Sequence, residues 1–364
     1  MRTMMLLALS LCCVSLLAEE LPKPSGEAVV SADAKLELLF SRTANISGGL
    51  TEGPAVAPDG SIYFTDIPSG KDNGMIQRFD PKTGKTNIFS ANSGKANGLI
   101  FNKNGQLLAC EGAGYGGRRI SRWNVETAER ETIVDRIDGK RFNSPNDLCV
   151  DLKGNIYFTD PRYVGHETRE LEHRAVYRID TEDNVTEVTH DISKPNGIAI
   201  SPDGKTLYVA DHDNGTDNID PDAPAPTPGD MKIYAFKLKK RDGTVRGRTA
   251  LVDFADKKGC DGMTVDDQGN VYLTVRDPGR PGVLVVDPEG QEVGFIPTGP
   301  PNQTAETPVG LPSNVEFGIG DEISTLYITV DTSLYRIQLK SKGFHFQYAA
   351  KGANKKSKKK KKAK

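Results

Sequence analysis

The chain has 364 residues, of which 37% are hydrophobic and 26% are charged, and its formal net charge is −2. This composition is typical of a globular protein with a large core and excludes a disordered chain. The 37 Gly, the 22 Pro and the low aromatic content of 7% favour many short strands joined by turns over long helices. We expect no nucleic-acid partner.

The first 18 residues have the layout of a secretory signal peptide. Arg2 precedes an apolar run from Met4 to Leu17, and Ala18 is followed by two acidic residues. The run is shorter than an ordinary membrane span. We therefore expect cleavage after or near Ala18, export to the periplasm or the extracellular space, and no stable membrane insertion of the mature chain. A retained N-terminal membrane anchor is the alternative.

The cysteines beyond the signal are too few and too scattered for a disulfide framework. They are Cys110, Cys149 and Cys260, and no two of them form a C-x-x-C pair. Stability must therefore come from the hydrophobic core, even in an oxidising compartment.

One segment is repeated six times along the chain, and this repeat predicts the fold. Each copy contains an apolar strand, a turn of the Asp-Gly or Asn-Gly kind, and a β-branched or aromatic strand, which is a strong hairpin signal. A third strand follows in every unit and a fourth in most of them. The hairpin copies lie at residues 57–66, 102–111, 151–160, 201–211, 266–275 and, in degenerate form, 318–331.

These units predict an all-β protein, a six-bladed β-propeller that spans residues 19–345. The sixth unit ends after its third strand near Leu339, while an unassigned strand-like stretch at residues 36–42 precedes the first unit. Pairing this N-terminal strand into the last blade would close the ring and remove exposed sheet edges. Residues 213–230, rich in Asp, Asn and Pro, are predicted to form a surface loop inserted in the fourth blade.

Six polar residues share one position, eight residues before the turn glycine or its equivalent. They are Glu52, Asn97, Asn146, Asn196, Asp261 and, in the degenerate copy, Asn314. Because the strand that leads into the first hairpin is the innermost one of a propeller blade, these side chains are expected to converge on the axis. A turn preference of Asn is the alternative, but it explains Glu52 and Asp261 poorly.

These side chains are hard oxygen donors, with no Cys or His among them. Such a set favours Ca²⁺, Mg²⁺ or Mn²⁺ and argues against zinc. The two carboxylates, Glu52 and Asp261, would balance one divalent charge. We expect one divalent cation in the channel, Ca²⁺ in the first place, with Mg²⁺ and Mn²⁺ as alternatives.

The segments that carry these positions resemble the SMP-30/gluconolactonase/luciferin-regenerating-enzyme family. They read TEGPAVAPDGSIYFTD, SPNDLCVDLKGNIYFTD, KPNGIAISPDGKTLYVAD and CDGMTVDDQGNVYLT, and ACEGAGYGGRRISRW resembles the second blade of bacterial gluconolactonases. The resemblance extends from Leu36 to Leu339. It implies a metal-dependent hydrolase that opens a sugar lactone such as glucono-1,5-lactone to the aldonic acid.

The resemblance also implies roles for particular residues. The implied metal ligands are Glu52, Asn146, Asn196 and Asp261, and Asp261 is also the implied general base. The residues expected to contact substrate are Asn97, Glu111, Asn146 and Asp147. Some animal members carry an Arg two residues before the Asn that matches Asn146, whereas this chain has Ser144. The identity of the lactone therefore stays open.

A different class of function remains as an alternative, namely a non-catalytic exported propeller that uses a channel cation for stability and its faces for binding. Residues 346–364 are predicted to form a disordered, Lys-rich tail, because eight of the last ten residues are Lys. Such a run is ordinarily solvated, and contact with anionic surfaces is its alternative role.

Overall fold

The structure, a computed structural model, describes residues 21–43, 48–216 and 227–349. The predicted signal peptide, the Lys-rich run at the C-terminus and residues 217–226 of the predicted insertion lie outside the described residues. The described part forms six four-stranded sheets, which confirms the predicted all-β, six-bladed propeller. No helix in these three stretches is long and apolar enough to cross a membrane.

In each blade the strands form an antiparallel meander from the axis outward. The first blade contains Leu50–Val56, Ile62–Ile67, Met75–Asp80 and Lys85–Ser90. The second contains Ala96–Phe101, Leu107–Glu111, Arg119–Trp123 and Arg130–Val134. The third contains Leu148–Val150, Ile156–Asp160, Ala175–Ile179 and Val185–Thr189. A small hairpin of Arg136–Ile137 and Lys140–Arg141 lies between the second and third blades.

The other three blades follow the same order. The fourth contains Pro195–Ile200, Thr206–His212, Met231–Leu238 and Val245–Asp253. The fifth contains Cys260–Val265, Val271–Val275, Gly282–Val286 and Glu292–Pro297. The sixth contains Pro312–Phe317, Thr325–Val330, Ser333–Gln338 and the N-terminal strand Glu37–Ser41, with a 3-10 helix at Gly320–Glu322.

The N-terminal strand closes the ring, as predicted. Glu37–Ser41 runs antiparallel to Ser333–Gln338, with Glu37 opposite Arg336 and Ser41 opposite Ser333. Arg336 Nε donates a hydrogen bond to Glu37 Oε2 at 2.7 Å across this pair. The first strand of the described chain is therefore the outermost strand of the last blade.

The repeated turn has the chemistry that its residues predict. In the first blade Asp59 Oδ1 accepts a hydrogen bond from Ser61 N at 2.9 Å, and Gly60 has a φ of 89°. Only glycine adopts this backbone conformation readily. Because this type of turn recurs in the other blades, the innermost strands all begin at the same end of the molecule.

Neighbouring blades pack through aromatic and aliphatic side chains. Tyr63 of the first blade and Phe101 of the second meet edge to face with their ring centroids 5.2 Å apart. Each innermost strand contacts that of the next blade, and the innermost strand of the sixth blade, Pro312–Phe317, contacts that of the first. Burial of each large apolar side chain contributes about 1.5–3 kcal/mol. The packing of the core thus places the first residues of the six innermost strands around one axis.

The folded body extends beyond residue 345, where the sequence placed the start of the disordered tail at residue 346. Residues 346–349 form a helical turn, and Phe346 and Tyr348 pack against the hydrophobic clusters of the blades. Tyr348 Oη donates a hydrogen bond to Val56 O at 2.7 Å. These aromatic side chains have apolar surface to bury, so residues 346–349 belong to the folded body.

Candidate functional site

The structure places the predicted polar residues at the start of the innermost strands. Five are buried and one, Asn97, is half-buried; the buried ones are Glu52, Asn146, Asn196, Asp261 and Asn314. Buried carboxylates and amides at one end of a channel require partners, because an unpaired buried charge is costly. The candidate site therefore lies at this mouth.

Asp147 lies on the axis itself. Its Oδ1 accepts a hydrogen bond from the adjacent Leu148 N at 2.9 Å. The backbone of Ile198 in the fourth blade and the carboxamide of Asn314 in the sixth are close enough to lower the pKa of this carboxyl group, against the larger effect of burial. On the second blade, a β-carbon at Gly98 would come 2.5 Å from Asp147 Oδ1. Residues of three other blades thus surround one carboxylate.

Three carboxylates share this small volume. Burial raises the pKa of Glu52 well above its ordinary value, and the charges of Asp261 and Asp147 raise it further. Burial is also the main cause that raises the pKa of Asp147 to about 7, with a contribution from Asp261. The hydrogen bond that Gly53 N donates to Glu52 Oε2 at 2.7 Å acts in the opposite direction and lowers the pKa of Glu52. Ionisation of all three groups calls for added positive charge.

Arg276 supplies one positive charge at this position. Its Nη1 lies 3.4 Å from Asp261 Oδ2 and donates a hydrogen bond to Pro312 O at 3.2 Å. Three ionised carboxylates and one guanidinium leave two negative charges, which one divalent cation would balance. Among the described residues no group of three or more His, Cys, Asp or Glu side chains is arranged to hold a metal. Amide oxygens would therefore have to complete the coordination.

The amide side chains differ in the atom that they can offer. Asn196 Nδ2 donates a hydrogen bond to Tyr163 Oη at 2.9 Å, so its Oδ1 is the atom left for a cation. Asn314 has the opposite arrangement, because its Oδ1 accepts a hydrogen bond from Val315 N at 2.8 Å. Its amide nitrogen is then the atom that can donate hydrogen bonds to the carboxylates. The residues present fit a hard divalent cation, with Asn196 as a ligand and Asn314 as a hydrogen-bond donor.

Glycine follows the predicted ring residue in four of the blades. A β-carbon on Gly262, after Asp261, would come 2.1 Å from Asn314 Cγ of the next blade. The corresponding glycines are Gly53, Gly98, Gly197 and Gly262. In the third blade this position is Asp147, which gives the axis its carboxylate. The repeated polar-Gly pair is a sequence signal for close approach of neighbouring blades.

Two further residues border the site and were not predicted from the sequence. His212 Nδ1 lies 3.0 Å from Cys260 O, and since a carbonyl only accepts, Nδ1 carries the proton and Nε2 has a lone pair. Burial lowers the pKa of His212, which keeps it neutral. His212 and Arg276 lie at or just after the end of a second strand, beside the start of the first strand of a blade. This position is the signal that could have identified them.

Glu111 is not brought into the cluster. Its buried carboxylate lies 2.9 Å from Arg119 Nε and 3.5 Å from Arg130 Nη1. At the corresponding strand end of the fourth blade, Asp211 Oδ1 accepts a hydrogen bond from Lys194 N at 2.9 Å. Acidic residues at the end of the second strand of these blades thus bind neighbouring parts of the chain. The geometry therefore does not support the expected substrate contact of Glu111.

The comparisons with known proteins agree with this architecture. The sequence model described as the SMP-30/gluconolactonase/LRE-like region matches residues 50–332. The chain belongs to this family, which confirms the resemblance found in its repeated motifs.

Characterised relatives and solved structures cover most of the chain. A gluconolactonase of Zymomonas mobilis is 28% identical over 346 residues, 88% of this chain and 85% of the relative. A pentonolactonase of Haloferax volcanii is 27% identical over 80% of this chain and 85% of its own length. The structure of a gluconolactonase from Xanthomonas campestris superimposes with a TM-score of 0.69 at 28% identity, covering 88% of this chain and 96% of that one.

Proposed function

We propose that the protein is a metal-dependent hydrolase that opens a sugar lactone such as glucono-1,5-lactone to the aldonic acid. Relatives named gluconolactonase, pentonolactonase and lactonase confirm the coarser class, a lactone hydrolase. The observation that carries the finer proposal is the buried cluster of Glu52, Asp147 and Asp261, whose mutual repulsion calls for a cation at the mouth of the channel.

The proposed ligands are the buried residues that the family resemblance implies. They are Glu52, Asn146, Asn196 and Asp261. The cation, Ca²⁺ in the first place with Mg²⁺ and Mn²⁺ as alternatives, would supply Lewis-acid polarisation of the lactone carbonyl and stabilise the negative charge of the tetrahedral intermediate. The Asn196–Tyr163 hydrogen bond supports this set, because it points the Asn196 oxygen away from Tyr163.

The chain's own residues would move the proton. Asp261 accepts a proton from a water molecule, whose oxygen forms a bond to the carbonyl carbon. The bond from that carbon to the ring oxygen then breaks, the ring oxygen takes up the proton, and the product is a hydroxy acid. Arg276 holds the Asp261 carboxylate from the side of Oδ2. Asn146 and Asp147, with the half-buried Asn97 beside them, would orient the lactone.

The test is an assay of metal-stripped protein with glucono-1,5-lactone, in which acid release is followed with a pH indicator. Ca²⁺, Mg²⁺, Mn²⁺ and Zn²⁺ are added back separately, and the spontaneous opening of the lactone is subtracted. We expect little turnover without metal and restoration by one or more of the first three ions. Equal turnover with and without metal would contradict the metal-dependent mechanism.

The alternative of a non-catalytic propeller has no observation in its favour, since the named relatives are lactonases. Export to the periplasm or extracellular space remains part of the proposal and rests on residues 1–18 alone. Comparison of the N-terminal sequence of the protein from whole cells and from the exported fraction tests it. Absence of the protein from the exported fraction would contradict export.

A further inference from the structure

An open groove of about 500 Å³ lies between loops of the first three blades. Leu50 in its wall lies two residues before Glu52 in the same strand. On the other side, Val164 follows Tyr163, whose hydroxyl accepts the hydrogen bond from Asn196. Two segments that form the walls of the groove therefore also carry, or hydrogen-bond to, residues of the candidate site.

The lining of this groove is mainly apolar. Its principal side chains are those of Leu50, Ile67, Pro68, Ala113, Tyr115 and Val164. Tyr115 and Val164 are 52% and 54% exposed, which is unusual for large apolar residues in the described part of the chain. The Tyr115 ring lies against the His166 imidazole, with the ring centroids 4.1 Å apart. A concave surface with exposed apolar side chains is typical of a ligand-binding site.

The walls of the groove are fixed before any ligand binds. Glu167 of the third blade accepts hydrogen bonds from Gly114 N at 3.1 Å and Tyr115 N at 2.9 Å, which joins the second and third blades. Lys95 Nζ donates to Pro68 O at 2.7 Å and Gly70 O at 3.0 Å, which joins the second blade to the first. Preorganised walls lower the entropic cost of binding.

Two bulky residues of the groove hold a backbone conformation that they rarely adopt. Tyr115 has a φ of 72° and Lys95 a φ of 59°. Strain of this kind persists only where the surrounding structure imposes it, and it is concentrated at functional sites. The hydrogen bonds that join the blades hold both residues in this conformation. The conformation of Tyr115 places its side chain at the rim of the groove.

We propose that this groove accepts a second class of substrate beside sugar lactones, namely δ-lactones with an alkyl chain on the ring carbon next to the ring oxygen, and that it binds this chain. The proposal rests on the lactonase function proposed above. The lactone ring occupies the polar mouth, and the chain lies along Leu50, Tyr115 and Val164. A second sugar ring fits less well, because the lining side chains are mainly apolar and the Lys95 ammonium already bonds two carbonyl oxygens. Glucono-1,5-lactone leaves the groove empty and serves as the internal reference.

The test compares δ-valerolactone, δ-hexalactone, δ-octalactone and δ-decalactone with glucono-1,5-lactone at saturating metal. In the wild type we expect kcat/KM to rise about 2- to 4-fold for each methylene that enters the groove. In Tyr115→Ala and in Val164→Ser the rise becomes smaller, and in the double variant it disappears. Turnover of glucono-1,5-lactone stays unchanged in all of them. Leu152→Ala, at a side chain that is 65% exposed on a hairpin turn of the third blade, is the matched control.

Each outcome separates this proposal from the one on which it rests. A flat series in the wild type, or an equal loss for glucono-1,5-lactone and δ-decalactone in the Tyr115 and Val164 variants, would overturn the groove proposal and leave the lactonase intact. Failure to open any lactone at saturating metal would overturn the lactonase proposal itself. Circular dichroism of the variants excludes unfolding as the cause of a loss.

Discussion

The Asp147 carboxylate lies against the backbone of Gly98 in the neighbouring blade, so closely that a β-carbon on Gly98 would be 2.5 Å from Asp147 Oδ1. The same β-carbon would be 2.8 Å from Asn146 O. A single methyl group at residue 98 would therefore displace two predicted site residues at once, while the backbone conformation of Gly98 itself does not require glycine.

We expect Gly98→Ala to impair the site more than the fold. The added methyl group would shift Asp147 away from the axis, and misplacement by about 1 Å reduces turnover by about 10²-fold. The measurements are lactone turnover and the melting temperature, with Gly279→Ala in an exposed turn as the matched control. A variant with full turnover would show that the position of Asp147 does not matter for the reaction.

Asp261→Asn and Glu52→Gln should have different effects at saturating metal. In Asp261→Asn the side-chain amide keeps an oxygen ligand for the cation but loses the basic carboxylate, so turnover is expected to fall by about 10²- to 10⁴-fold. Glu52→Gln should weaken metal binding, and excess cation should restore much of its turnover. Titration of activity with metal in both variants gives the comparison. Full recovery of Asp261→Asn would mean that the base lies elsewhere, with Asp147 as the next candidate.

The other end of the channel contains two buried groups that link stability to pH. Glu316 Oε1 lies 3.7 Å from His345 Nδ1 and accepts a hydrogen bond from Phe317 N at 2.8 Å. Burial raises the pKa of Glu316 from 4.5 to about 8 and lowers the pKa of His345 from 6.5 to about 4. The folded state therefore favours the neutral form of both groups.

Stability should fall as the pH rises from 6.5 to 8. Above pH 4.5 unfolding releases the proton of Glu316, whereas between pH 4 and 6.5 it adds one to His345, so the two effects oppose each other there. Above 6.5 the opposing effect of His345 has ended, and Glu316 contributes a slope of up to about 1.4 kcal/mol per pH unit beside the contributions of Asp147 and Glu52, whose pKa values are also raised. Denaturant unfolding of the wild type and of Glu316→Gln measures it. The same slope in both proteins would contradict the assignment to Glu316.

Truncation of the C-terminus should have opposite results on the two sides of residue 349. A chain that ends after Gly352 loses the Lys-rich residues 353–364, which have no large apolar side chains to bury, so its turnover and stability should match the wild type. A chain that ends after Gly343 loses the buried aromatic contacts of Phe346 and Tyr348 and should be destabilised by about 3 kcal/mol or more. Melting temperatures test both chains. Reduced turnover of the longer one would show that the Lys-rich run contributes to function.

The fold could be predicted from the sequence because its information is local. A hairpin turn such as Asp59-Gly60 is encoded by neighbouring residues, and six copies of it define the blades. The register of Glu52 and Asp261 follows from the same count. The lactone-hydrolase class was also predicted correctly, from motifs that the family shares.

The parts that could not be predicted depend on contacts between distant segments. Arg276 pairs with Asp261 only because two antiparallel strands of the fifth blade bring the end of one beside the start of the other. Asp147 fits between the blades because Gly98, which faces it from the second blade, has no side chain. The ion pairs of Glu111 with Arg119 and Arg130 also could not be predicted, because no sequence pattern shows them.

The pairing of Glu37 with Arg336 joins residues 299 positions apart. During synthesis the strand Glu37–Ser41 is made first and has no partner until almost the whole propeller has been translated. An unpaired strand edge is prone to association with other chains, and a contact between such distant residues forms slowly. The strand pairing that completes the sixth blade is therefore the last one that the chain can form, and until then both Glu37–Ser41 and the incomplete blade remain open to association with other chains.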